Sequence, residues 1–137
     1  EMFLANYADA LTDLPLDDQI ARFRKDEATV GFVAVPPASS FHGILGSDND
    51  IVTEFGSLRD AGFWINGGYF CMRPEVFECM EEGDELVEGP FRRLVAQRKL
   101  VAYRYSGFWQ QMDTFKDKIT YDRMAGRGDC PWALWRR

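Results

Sequence analysis

The chain has 137 residues, 46% of them hydrophobic and 15% aromatic, enough for the core of one domain and too few for two. Its 22 acidic and 16 basic residues leave a net charge of −6, which argues against a nucleic-acid or anionic-membrane partner, since phosphate-rich surfaces are met by clustered Lys and Arg. No apolar run approaches the roughly 18 residues of a membrane span. The opening Glu1-Met2-Phe3-Leu4 lacks the basic n-region and cleavage site of a signal peptide, and reads as cut from something longer. Cys71, Cys79 and Cys130 are odd in number and have no C-x-x-C spacing. They read as reduced thiols of a cytoplasmic protein, not as a disulfide framework or a zinc site.

In chain order, Met2 to Tyr7 reads as a buried strand that ends at Asp9. Asp17-Asp18 starts a helix with Ile20 and Phe23 on its buried face. Ala28 to Val35 is an apolar strand closed by Pro36-Pro37, and a helix feeding such a strand suggests a parallel crossover in a covered sheet. His42 to Leu45 and Asp50 to Phe55 flank the turn residues Gly46-Ser47-Asp48-Asn49, the pattern of a hairpin. Trp64 to Met72 is a further core strand, and Pro74 opens a short helix through Met80. Gly89-Pro90 leads into a helix with Leu94 and Val95 inward, Leu100 to Tyr105 is a strand, and Thr114 to Met124 a helix. The aromatic closing segment, Cys130 to Trp135, is too hydrophobic for a free tail and should dock on the body or on a neighbouring subunit. Alternating helices and strands predict one α/β domain over residues 1–137, Rossmann-like, with a mixed, mainly parallel sheet, a β-hairpin and flanking helices.

Two carboxylates stand at strand ends. Asp9 follows the first strand and can ligate a hard cation such as Mg²⁺; Asp113 could be the second ligand. The plain alternative makes Asp9 a turn residue and Asp113 a helix N-cap before Thr114. Asn66-Gly67-Gly68 interrupts an apolar strand, which implies a bulge or the close approach of a ligand to the backbone, with Asn66 able to serve a sugar hydroxyl. The flat ring of Trp109 suits the C–H face of a pyranose, although most such residues are core. The lone His42 has no nucleophile at recognisable spacing and reads as structural. Arg92-Arg93 and Arg98-Lys99 read as a solvated helix face.

Gly107-Phe108-Trp109-Gln110-Gln111-Met112-Asp113-Thr114 and Trp64-Ile65-Asn66-Gly67-Gly68 resemble segments of sugar-1-phosphate nucleotidyltransferases, above all glucose-1-phosphate cytidylyltransferases. Asn6 to Ala10 resembles that family's Tyr-Gly-Asp-Gly metal segment, and Ala125 to Trp135 its closing Lys-Ala-Pro-Trp-Lys-Trp. The resemblance implies Mg²⁺ on Asp9 and Asp113, and a sugar phosphate on Asn66, Gly67, Gly68, Trp109 and Arg59. It implies hexose 1-phosphate and CTP as partners. Ala8 and Ala10 replace the metal-segment glycines, Leu58 falls where the family places a phosphate-binding lysine, and Val87 and Gly89 stand in place of glutamates. The Gly-rich nucleotide loop of the family's N-terminal half is absent from these residues. The expectation is therefore the sugar-binding half of such an enzyme, inactive as an isolated chain and without a catalytic residue of its own. It would be completed by a homo-oligomer or a missing N-terminal half. The alternative is a non-catalytic sugar-phosphate-binding or assembly domain of the same descent.

Overall fold

The structure is a computed structural model and describes residues 1–38 and 41–136. Strand β3 (Val30–Val35) carries no polar side chain, and it takes the most enclosed place in a four-stranded sheet. It pairs antiparallel with β6 (Ile65–Met72) on one side and parallel with β7 (Leu100–Arg104) on the other, while β1 (Phe3–Asn6) pairs antiparallel with β6 at the edge. The sheet is mixed as expected, but most of its pairings are antiparallel, against the expected parallel majority. Both β1 and β3 oppose β6, so they are parallel to each other with β6 between them, and α1 (Leu16–Lys25) makes a crossover that skips one place. The strand expected to be buried at the N-terminus is instead an exposed edge, with Leu4 about half exposed. Two two-stranded ladders complete this order. The hairpin β4 (His42–Asp48) and β5 (Ile51–Ser57) turns at Asn49, and β2 (Ala10–Thr12) pairs with β8 (Trp109–Gln111) in a ladder the sequence patterns did not reveal.

Alternation along β3 divides the core. Val30 and Phe32 face α2 (Gly89–Ala96) and pack with Phe70, Met72, Phe91 and Leu94. Val33 and Val35 face the other way, towards Leu14, Ile65, Tyr69 and Trp109, while Phe23 of α1 packs with Cys71 and Tyr103. Helices thus cover both sides, the layering of an α/β domain. Acidic Asp17 and Asp18 begin α1 and basic Arg22, Arg24 and Lys25 end it, in the sense the helix dipole favours. Beyond β6, Arg73 donates to the carbonyls of Ala28 and Asp26 (2.7 Å for Asp26) and lies over the Phe23 ring at 4.5 Å, closing the end of α1.

Two expectations change at the helices. Arg93 is not on a solvated face: it reaches Asp84 at 2.5 Å, Glu81 at 3.0 Å and the Cys79 carbonyl at 2.8 Å, tying the segment before α2 to the helix. The N-cap of α3 (Phe115–Gly126) is Thr114, whose hydroxyl accepts from Asp117 N while the Asp117 side chain accepts from Thr114 N; Asp113 lies outside that capping box. The closing segment docks through Trp132, which packs on Phe108 and Tyr121, and leaves Trp135 exposed.

Candidate functional site

Because β1, β3 and β7 run the same way, their C-terminal ends share one rim with the start of β6. That rim gathers 6–9, 35–37, 64–66 and 104–109, the place where open α/β sheets hold ligands.

At its centre the register of β6 on β3 slips. Phe32 faces Phe70 and Ala34 faces Asn66, so Gly67, Gly68 and Tyr69 together stand against Val33. This is a bulge. Gly68 has φ +73°, and a Cβ there would lie 2.6 Å from Cδ2 of Tyr7; one on Gly67 would lie 3.0 Å from the Val33 carbonyl oxygen. The close approach that demands the two glycines is therefore made by the chain itself, not by a ligand. Oδ1 of Asn66 accepts from Gly68 N at 2.9 Å. Burial pushes the Tyr7 hydroxyl pKa up, the nearby Asn66 side chain opposes that, and the charges of Glu85 and Asp9 add to the rise. Indole Nε1 of Trp109 donates to the Gly67 carbonyl at 2.8 Å, so that ring's polar atom is committed to holding the bulge, with its body among Leu14, Val33 and Val35.

The chain segments that carry Asp9 and Asp113 are brought together by a short antiparallel ladder. Asp9 precedes β2, Asp113 follows β8, and these two short strands are antiparallel, with Ala10 opposite Gln111. The start of one strand is thereby set beside the end of the other. The pairing extends one step further, as Met112 N donates to the Asp9 carbonyl at 2.7 Å. Both aspartates are exposed, and Oδ2 of Asp113 accepts from Gln111 Nε2 at 2.6 Å. Among the described residues no group of three or more His, Cys, Asp or Glu gathers into a metal-ligand set. Ala10 is buried, so its methyl group turns into the body and not towards the rim, whereas Ala8 is exposed.

Towards β3 and β7 the rim opens into a cavity of about 230 Å³ lined by Pro36, Arg59, Gly62, Phe63, Trp64 and Ser106. Arg59 is steadied by its Nε bond to the Pro37 carbonyl at 3.2 Å. The guanidinium of Arg104, at the end of β7, lies 5.2 Å from the Trp64 ring centroid. Sequence reasoning singled out Arg59, Asn66 and the two aspartates and passed over Arg104, Glu85 and Asp13, which the structure places around them. Only Arg104 carried a local signal, as the lone charge closing an apolar strand.

The fold is a mixed α/β fold shared with a solved structure. It superposes at TM-score 0.63 on a Bacillus anthracis protein provisionally named as a glucose-1-phosphate thymidylyltransferase and crystallised with a sucrose, at 12% identity over 91% of this chain and 55% of that one. The sequence itself is 30% identical to the glucose-1-phosphate cytidylyltransferases of Salmonella typhi and Salmonella typhimurium, over 98% of this chain and 53% of each relative. The chain is thus similar over 98% of its length to glucose-1-phosphate cytidylyltransferases, and it spans about half the length of the curated relatives it matches. No family model matches the chain.

Proposed function

We propose that this chain is the sugar-phosphate- and metal-binding half of a cytidylyltransferase-like enzyme of the cytoplasm, which joins a nucleoside triphosphate to a hexose 1-phosphate. The observation that supports the reading is the pairing of β2 with β8, which bonds the Asp9 backbone to Met112, the neighbour of Asp113, near the cavity that Arg59 lines. The donor set fits Mg²⁺, which takes one or two carboxylates and leaves its other positions to waters and phosphate oxygens. When bound, the ion would offset the charge that builds as the sugar phosphate attacks the nucleotide α-phosphorus and pyrophosphate departs. Arg59 and Arg104 meet the phosphate of the sugar substrate. Asn66 and Tyr7 supply the hydroxyl partners, and Trp109 holds the Gly67-Gly68 backbone that carries them.

The nucleotide is CTP in this reading, and the backbone donors for its triphosphate belong to the part of the relatives that lies outside this chain. The isolated chain therefore binds without turnover: pyrophosphate release from CTP and glucose 1-phosphate stays at the level of an Asp113→Ala control. Calorimetry tests the binding itself. Glucose 1-phosphate should bind in the millimolar range, about −4 kcal/mol, more tightly with Mg²⁺ and more weakly in Asp113→Asn. A Mg²⁺-independent isotherm, or none, overturns the reading.

One observation favours the alternative, a non-catalytic assembly domain of the same descent. Ile44, Ile51 and Phe55 project from the hairpin at 61%, 71% and 66% exposure, an apolar strip such as subunit contacts cover.

A further inference from the structure

The ladder that brings Asp9 to Asp113 has only three pairs, too few to hold its own register; isolated two-stranded pairs are marginal even when longer. Something else must fix it, and Asp13, just past β2, is placed to do so. One oxygen, Oδ1, accepts from the Tyr105 hydroxyl at 2.5 Å and from Phe108 N at 2.8 Å, across more than ninety residues of chain. Beside it Thr12 Oγ1 donates to the Phe108 carbonyl at 2.7 Å, and Asp13 N donates to the same carbonyl at 3.2 Å. Both backbone polar groups of Phe108 are thus held by residues 12 and 13, directly before β8 begins.

Gly107 is part of the same device. A Cβ on it would lie 2.1 Å from the Tyr105 hydroxyl oxygen, so only glycine lets the phenol fold back over the turn to reach Asp13. An ionised acceptor makes such bonds roughly twice as strong as neutral ones.

We infer that Asp13 is a positioning residue: its carboxylate sets the register of β8 on β2 and, through it, the place of Asp113 beside Asp9. The consequence for cation binding rests on the proposed function; the register claim stands on the hydrogen bonds alone.

The test is amide hydrogen exchange by NMR on the whole chain, with Mn²⁺ affinity measured in parallel by electron paramagnetic resonance. In Asp13→Ala the Met112 N–H, which reports the junction with Asp9, should lose about tenfold or more of its protection, while the Val33 and Phe70 amides keep theirs. Mn²⁺ affinity should fall about 10- to 100-fold, the usual effect of removing a group that orients a ligand. Asp13→Asn keeps an acceptor oxygen and should restore most of both. If Asp13→Ala does not fold, Asp13→Asn and Tyr105→Phe carry the test, each with a smaller loss at Met112. Unchanged Met112 protection overturns the inference, as does a loss spread evenly over the core amides. So does an unchanged Mn²⁺ affinity in a variant whose Met112 is deprotected. A wild-type chain that binds no Mn²⁺ refutes the proposed cation site instead, and the Met112 exchange then still decides the role of Asp13.

Discussion

Replacing Gly68 by alanine probes the centre of the rim, because two separable costs meet there. The residue sits at φ +73°, where an L side chain costs about 1–2 kcal/mol. Its new methyl group would also stand 2.6 Å from the Tyr7 ring. The ring must swing away and give up its edge-on contact with Phe70, now at 5.4 Å between centroids and worth about 0.5–1.5 kcal/mol. Together these come to about 2.5 kcal/mol. With an unfolding entropy of about 2.1 cal/mol/K per residue, a chain of this length loses about 9 °C in Tm. Thermal and urea unfolding followed by circular dichroism measure the loss directly. A double-mutant cycle separates the parts: in a Tyr7→Ala background the ring is gone, and Gly68→Ala should cost only the backbone share of about 1–2 kcal/mol. An equal cost in both backgrounds, or a total below about 1 kcal/mol, would refute the claim that Tyr7 is what Gly68 accommodates.

Arg73→Ala removes the donor that closes the end of α1 and its stacking on Phe23, and should lower stability by about 3 kcal/mol in urea unfolding, with Arg73→Lys recovering part of the loss. Asp84 has its pKa held below the usual carboxylate range by the Arg93 guanidinium and the Glu81 N–H. A carboxylate depressed in the folded state contributes stability above its unfolded pKa, about 3.9, and loses that contribution as pH falls towards the folded value. The urea midpoint should therefore drop more steeply below about pH 4 in the wild type than in Asp84→Asn. The exposed strip of Ile44, Ile51 and Phe55 should drive self-association at micromolar concentration, seen by light scattering and weakened in Phe55→Ser; a stable monomer would count against it.

What the sequence determined by itself was local. The apolar run of β3, the turn residues of the hairpin, Pro90 opening α2 and Thr114 with Asp117 at the start of α3 each declare themselves within a few residues, because helix and strand periods and capping are short-range effects. The chemically notable residues were legible too, since Asp9, Asp113 and Asn66-Gly67-Gly68 stand out against their neighbours. How the chain arranges them was not. A three-residue strand such as β2 or β8 has too short a pattern to be recognised, and it exists only because each finds the other from opposite ends of the chain. The glycines of β6 suggested an incoming ligand, yet the space they leave is filled by Tyr7, a residue no periodicity connects to them. β1 shows the same division: its apolar side chains announce a strand, but which edge of β6 it joins, and in which direction, depends on where unpaired backbone groups remain once β3 has taken the other side. Local composition selects the elements, whereas the placement of Asp9, Asp113 and Asp13 is decided by hydrogen-bonding partners that only the assembled chain supplies.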